Sequence, residues 1–337
     1  MNNVMINKLL IAVIPVCGFL SCKTDKTENK MNISAETSTS GVSASGTYAE
    51  LSVKEGGAWK EGSYEGGQFK NITEFEWPEG LADHSYYLRY EGPGWENSRV
   101  GYRLYLDWRN AIDIFGKKVD TVVLSHVGQD GFDSYHESAD WGQDILKVGK
   151  SLGIGSYGRL LDDSVVHFQK VSKTMAKISN TASSSSVEID YKDWQSGADT
   201  VDLATRLTIY PEGRYTEVSL DPSKAIPGIC TGIVKFDDIP LMKKEGQEWG
   251  YIATYGAQTL VRDQDQLGMA IFYKKSDARE VTEGDHDHLV VFNPTDGPVT
   301  YYFMGAWSQE KDAIKNEKEF VRHLDNNLDQ LDKNGKL

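Results

Sequence analysis

From about Thr47 onward, apolar and polar residues alternate in short runs separated by turn formers. In "DTVDLATRLTIY", Val201, Leu203, Thr205, Leu207 and Ile209 occupy every second position, the period of a strand with one buried face. "PEG" then turns the chain into "RYTEVSL", which predicts a hairpin. The runs "SVEIDY", "GICTGIVKF", "GYIATYG", "GMAIFYKK", "HLVVFN" and "VTYYFMGAW" are each bounded by Gly, Pro, Asn or Asp. Strands so spaced, with no helical pattern between them, predict an all-β fold, a large antiparallel β-sandwich rather than βαβ units.

The pattern changes at the end. In "QEKDAIKNEKEFVRHLDNNLDQLDKNGKL", Ile314, Val321, Leu324, Leu328 and Leu331 recur at three, four and seven, predicting an amphipathic helix over 309–335 that packs on the sandwich. No internal repeat is present.

The first residues are of another kind. Lys8 precedes an apolar run, Leu9–Leu20, then Ser21 and Cys22. The run is too short to span a bilayer and has the form of an export signal over 1–21. Its Leu-Ser-Cys end resembles a bacterial lipoprotein signal, with Cys22 as the acylated residue. Residues 22–46 are rich in Ser, Thr and Asn and predict a disordered tether. One domain then fills 47–337. These segments predict a lipid-anchored outer-membrane protein, on the cell surface or the periplasmic face. Of three cysteines, cleavage and acylation leave only Cys230 for the folded part, so no disulfide or cysteine metal site is expected. Cys230, in an apolar strand, reads as core.

Charge narrows the partners. The chain carries 36 Lys+Arg against 50 Asp+Glu, a net charge of −14, which disfavours nucleic acid. Yet His84–Lys118 holds six Arg or Lys against four Asp or Glu. In "RVGYRLYLDWRN", strand parity puts Val100, Tyr102, Leu104, Leu106 and Trp108 on one face and Arg99, Arg103, Tyr105, Asp107 and Arg109 on the other. The preceding "HSYYLRYEG" divides the same way, with Tyr87, Arg89 and Glu91 opposite Tyr86, Leu88 and Tyr90. Paired guanidinium hydrogen bonds hold carboxylate or sulfate, so the face suits an anionic ligand. A solvated row of cross-strand ion pairs is the plainer alternative.

The second unusual stretch, His126–Gly158, is polar and Gly-rich and predicts a long functional loop bearing His126, Tyr135, His136, Trp141 and Lys147. Its acids Asp130, Asp133, Glu137, Asp140 and Asp144 suggest calcium but miss the EF-hand spacing. His286 and His288 would share a strand face, a weak zinc signal. No metal and no cofactor are expected.

"HSYYLRYEGPGWENSRVGYRLYLDWRNAIDIFGKK", "YHESADWGQDILKVGKSLGIG" and "YYFMGAW" together resemble a family of exported Bacteroidota proteins encoded in polysaccharide-utilisation loci, long catalogued as a domain of unknown function. The resemblance runs from about His84 to Trp307. It implies an oligosaccharide dehydratase of ulvan breakdown, removing water from a non-reducing-end glucuronic or iduronic acid. It also implies a sandwich like those of sugar mutarotases and some polysaccharide lyases. It carries no residue roles.

That elimination needs a cation for the carboxylate, a base for the neighbouring proton and an acid for the leaving hydroxyl. Arg89, Arg103 or Arg109 are candidates for the first, with Asn97 as an amide donor. His84, His136 or Tyr135 are candidates for the others, and Trp95, Tyr105 and Trp141 complete the predicted substrate contacts. Two alternatives remain open: a glycoside hydrolase using two of Glu91, Glu96 and Asp107, and a non-catalytic glycan binder stacking sugars on Trp95, Trp108 and Trp141. In each case the partner is an anionic oligosaccharide.

Overall fold

Alternation in the sequence becomes alternation in burial. Along the strand Asp199–Ile209, Val201, Leu203, Thr205, Leu207 and Ile209 are buried, and the residues between them are partly or fully exposed. The computed structural model of the protein describes residues 46–78, 81–82, 84–130, 134–261 and 265–337. The export signal, Cys22 and the tether up to residue 45 lie outside the described residues. Among the described residues no helix is long and apolar enough to cross a membrane.

The fold is an all-β antiparallel sandwich with one C-terminal helix. Its largest sheet has nine strands, in the order Met242–Glu245, Trp249–Gly256, Leu267–Lys274, Val299–Trp307, Tyr215–Pro222, Asp199–Ile209, Ser185–Ser196, Lys173–Asn180 and Glu74–Glu76. Two five-stranded sheets complete the core. One, the site sheet, runs Thr47–Glu50, Gly94–Asn97, Val100–Leu104, Ile112–Lys117 and Gly142–Asp144. The other runs Ser164–Val166, Ile154–Leu161, Ile229–Val234, Asp287–Phe292 and Ala278–Glu283. Val100, Tyr102, Leu104, Ile114, Ile154 and Ile233 join Leu203, Val218, Ile271 and Phe303 of the large sheet in one apolar core. Tyr102 ties the layers: its hydroxyl donates to the Arg214 carbonyl at 2.7 Å and accepts from the Gly305 amide at 2.9 Å.

The helix runs Glu317–Asn334, not from 309, because Asn316 caps it: its side chain accepts from the Glu319 amide at 3.0 Å. Gly335, left-handed, ends it. Phe320, Leu324, Leu328 and Leu331 pack on Tyr251, Ala253, Phe272 and Tyr302, the outer side of the large sheet. Gly268 lies so close beneath Phe320 that an added Cβ would meet the ring at 2.5 Å.

Three expectations fail locally. Residues 84–91 form no strand: His84, Tyr86, Tyr90 and Glu91 all have positive φ, and Arg89–Glu91 is a 3₁₀ turn. The strand after Arg99 stops at Leu104, so parity holds for Val100–Leu104 and lapses beyond. Leu106 is still buried, but Trp108 is 44% exposed. His126–Gly158 is also less open than its polarity suggests, since Gly142–Asp144 pairs with Phe115–Lys117 and Ile145, Leu146, Val148 and Leu152 enter the interior.

Candidate functional site: a guanidinium between two histidine–carboxylate pairs

Parity sends Arg103 to the side of its strand opposite Tyr102, away from the sandwich core. Asp113 sits directly across from it on the neighbouring strand. This outer face is roofed rather than solvated. Tyr48, Tyr90, Phe115, Leu124, Val127 and Tyr135 form a second apolar cluster over it. The roof leaves Arg103 1% exposed.

A buried guanidinium without a counterion is very costly, and the chain supplies several. Arg103 donates to Asp113 at 2.9 Å, to Asp144 at 2.8 Å, and to the hydroxyls of Tyr105 at 2.6 Å and Tyr135 at 3.0 Å. The rings of Tyr105 and Tyr135 also lie 4.6 and 5.0 Å from its guanidinium carbon. Burial opposes its charge, but Tyr105, Asp144 and Asp113 outweigh that and hold it protonated. Burial, followed by the neighbouring Asp144, pushes the Asp113 carboxyl well above the ordinary carboxylate range.

Two histidines stand at the ends of this network. His136 Nδ1 lies 2.9 Å from Asp144 Oδ2, the oxygen that also takes the Arg103 hydrogen bond. His84 Nδ1 lies 3.7 Å from Glu91 Oε1, and the other Glu91 oxygen lies 3.9 Å from Arg103. The side chains of His84 and His136 are 51% and 34% exposed, while those of Glu91 and Asp144 are 9% and 2% exposed. Each imidazole therefore reaches solvent with its carboxylate behind it. Glu91 owes its place to a close backbone approach: Leu104 and Leu106 amides donate to the Pro93 and Glu91 carbonyls, both at 3.0 Å. At Gly92 an added Cβ would fall 2.0 Å from the Leu104 carbonyl oxygen. The positive φ values of Tyr90 and Glu91 concentrate backbone strain in this turn.

Arg109 completes the rim. It donates to Glu91 at 2.9 Å, binds Asp107 through both carboxylate oxygens, and stacks over Tyr105 at 4.2 Å. Beside it, His84, Glu91, Asp107 and Trp77 line a small depression. This shares Trp77, Ala82 and Asp107 with a cleft of about 380 Å³ flanked by Trp77 and Trp108.

Of the residues named from sequence, His84, Arg103, Tyr105, Arg109, Tyr135 and His136 are brought together. Arg103 and Tyr105, 1% and 8% exposed, are enclosed within the network, and four more residues are likewise not available to a ligand as expected. Arg89 is buried and spends its charge on Glu50, which also accepts from Tyr48 at 3.0 Å and Tyr90 at 2.5 Å. Trp95 is fully buried and donates its indole N–H to Thr216 at 2.9 Å. Buried Asn97 holds a neighbouring turn through the Tyr210 and Gly213 carbonyls. Trp141 is half-buried, its ring edge-on to Phe115 at 5.9 Å. Tyr135 is a poor base, because burial pushes its phenol above the ordinary value although Arg103 pulls it down. The arginine row is also not a free positive surface. Arg103 and Arg109 face Glu91, Asp107, Asp113 and Asp144, and a low-dielectric site requires that pairing.

Sequence reasoning missed Asp113 as the partner of Arg103, although its parity within "AIDIF" opposite "GYRLY" would have found it. It met Asp144 only as a calcium candidate. Among the described residues no group of three or more His, Cys, Asp or Glu side chains is placed to hold a metal ion. Cys230 is buried, and burial pushes its thiol far above the ordinary range, as a core residue.

The fold and site define an all-β sandwich protein carrying a histidine–carboxylate–guanidinium network on one sheet face. The chain belongs to the family described as a domain of unknown function, DUF4861, whose profile matches residues 20–336. No curated protein matches the sequence. Among solved structures, a TPR-domain containing protein from Parabacteroides distasonis ATCC 8503 aligns over 77% of this chain and 54% of that one, at 7% identity and a TM-score of 0.33. The aligned part is thus about half of that protein's length.

Proposed function

We propose that the protein is a carbohydrate dehydratase: a carbon–oxygen lyase that removes water across C4 and C5 of a uronic acid at the non-reducing end of an ulvan-type oligosaccharide. The observation that carries this reading is that His136–Asp144 and His84–Glu91 flank one buried guanidinium. An elimination needs two proton-transfer groups of opposite role; Asp144 stands 2.9 Å from Nδ1 of His136, and Glu91 stands 3.7 Å from Nδ1 of His84. In this reading Asp144 holds Nδ1 of His136, so Nε2 takes the C5 proton as general base. The electron pair of that C–H bond forms the C4–C5 double bond, and the C4–O bond breaks. Protonated His84, beside Glu91, supplies the proton that lets the hydroxyl leave as water.

Of the three arginines considered for the substrate carboxylate, Arg109 is the one at the rim, its side chain 18% exposed against 1% for Arg89 and Arg103. It neutralises the carboxylate in this scheme, and Arg103 holds Asp144 at 2.8 Å and stands 3.9 Å from Glu91 behind the histidines. A positioned acid or base contributes about 10²–10⁴ in rate. The resemblance over His84–Trp307 supplies the substrate class, and the signal-like N-terminus supplies lipid attachment through Cys22 at the outer membrane.

The hydrolase alternative has less support. Arg109 lies between Glu91 and Asp107, filling the gap where a scissile bond would sit, and Glu96 is buried against Lys117 at 2.6 Å. The purely binding alternative loses Trp95 to the core.

The test is incubation with oligosaccharides ending in a saturated uronic acid. Loss of one water by mass, together with new ultraviolet absorbance from the conjugated double bond and an unchanged number of sugar rings, is expected. New reducing ends without that absorbance would overturn the proposal.

A further inference from the structure

The site holds more acids than arginines. Glu91, Asp107, Asp113 and Asp144 surround Arg103 and Arg109, so a sugar carboxylate arrives where the protein's own acids are already in surplus. The two most deeply placed acids divide one nitrogen. Asp113 and Asp144, each 1% exposed, both set Oδ2 against Arg103 Nη2, at 2.9 and 2.8 Å. The Tyr105 hydroxyl lies 2.6 Å from the same nitrogen. Nη2 carries two hydrogens, so it cannot serve three oxygens at once.

Asp113 is the carboxyl that can release its share. Its Oδ2 also accepts from the Tyr105 hydroxyl at 3.0 Å, and its Oδ1 from the Ile114 amide at 2.8 Å. Arg103 faces it from Val100–Leu104, Tyr105 from the residue after that strand, and Asp144 from Gly142–Asp144. Behind these stand Tyr135, 3.0 Å from Arg103 Nη1, His136 on Asp144, and Glu91. Glu91 links the two arginines: one oxygen lies 3.9 Å from Arg103 and the other 2.9 Å from Arg109. Burial and the charge of Asp144 oppose a negative Asp113, and Arg103 favours it.

We infer that Asp113 is a positioning residue that takes up a proton as the acidic sugar binds. An uncharged Asp113 leaves the charge of Arg103 to Asp144 and Glu91. Glu91 then holds Arg109 less tightly, and the rim side of Arg109 turns to the sugar carboxylate. The sugar's negative charge replaces the one that Asp113 loses, so the network keeps its total charge. Binding and protonation are linked, and affinity for the acid falls as rising pH ionises Asp113 in the free protein. The inference rests on Arg109 meeting the carboxylate, as in the proposed function.

Calorimetric titration of the full chain with the methyl glycoside of a 4-deoxyuronic acid tests this, since that sugar has no hydroxyl to lose. Its methyl ester is the uncharged control, and buffers of different ionisation enthalpy count the protons taken up. Affinity for the acid should fall by about tenfold per pH unit once free Asp113 ionises, with uptake of a proton, while affinity for the ester stays level. In Asp113→Asn the uptake should drop and the pH dependence flatten. A second measurement needs no variant: the infrared band of a protonated carboxyl should grow when the acid is added to the native protein, a band that a protonated histidine does not give. Level affinity for the acid across pH, unchanged uptake in Asp113→Asn, or no growth of the carboxyl band would overturn the inference. Proton-coupled binding without any dehydration of the corresponding 4-hydroxy sugar would leave it standing and remove the dehydratase proposal. Dehydration with pH-independent binding would do the reverse.

Discussion

Asp144 holds His136 Nδ1 at 2.9 Å with the same carboxylate oxygen that accepts from Arg103 at 2.8 Å. That shared oxygen couples a half-exposed imidazole to a fully buried cation. It holds Nδ1 of the ring and leaves Nε2 as the nitrogen that the proposed base step would use.

If this pair is the base, Asp144→Asn should lower kcat by roughly 10²–10³ with a smaller change in KM, since the amide can present the wrong hydrogen-bonding group to Nδ1. His136→Gln should reduce turnover at least as far. Steady-state ultraviolet assays check both, with thermal melts showing that the fold persists. Turnover by His136→Gln at the native rate would remove His136 from the mechanism.

The Tyr102 hydroxyl bridges the Arg214 carbonyl and the Gly305 amide. Tyr102→Phe leaves both groups buried without that partner, and unfolding should require about 1–3 kcal/mol less free energy. Urea titration reads this directly. An unchanged midpoint would mean that other groups satisfy the two backbone atoms.

Lys117 and Glu96 are both fully buried, and Glu96 also accepts from the Val123 and Leu124 amides at 2.6 and 2.7 Å. Burial pushes Glu96 up and Lys117 down, each toward its neutral form. Lys117→Met should destabilise by about 3–5 kcal/mol by stranding the carboxylate. Adding Glu96→Gln should recover much of that loss, because the amide oxygen still caps the Val123–Leu124 turn. Comparable denaturation midpoints for the single and double variants would contradict the stranded-charge explanation.

Burial pushes the Asp287 carboxyl up to about 7, with the hydrogen bond from the Leu152 amide and the charge of Lys235 pulling it down. Between its ordinary value near 4 and about 7, the folded protein holds a proton that the unfolded chain has lost. This contribution to stability is therefore full at low pH, falls as pH rises through that window, and is flat above it. Asp287→Asn should flatten the decline, worth at most about 4 kcal/mol across the window for a shift of this size. His323, which burial pushes down to about 4, contributes the opposite slope in both proteins and cancels from the comparison. Parallel stability–pH curves would refute the assignment.

Much of the architecture was legible from local pattern. Alternation in Asp199–Ile209 named the buried face correctly, that in Val100–Leu104 named the side that packs in the sandwich core, and the three-four spacing of Leu324, Leu328 and Leu331 named the helix. These are short-range steric rules, so a sequence expresses them residue by residue. The helix start was missed by eight residues, because Asn316 stops the pattern by capping and Ile314 packs before the helix begins.

By itself, the sequence determined the sandwich, the direction in which Arg103 points, and the set of chemical groups gathered between His84 and Lys147. Only the tertiary structure decided what covers that side of the sheet, and hence that Arg89 and Arg103 are enclosed and paired with the protein's own acids. The covering residues, Glu50, Glu91 and Asp144, come from separate parts of the chain, Glu91 through an irregular turn that no periodicity announces. Strand parity fixes a side chain's direction, whereas burial and counterions depend on segments distant in sequence, and these determine whether a guanidinium meets a ligand or a carboxylate of its own.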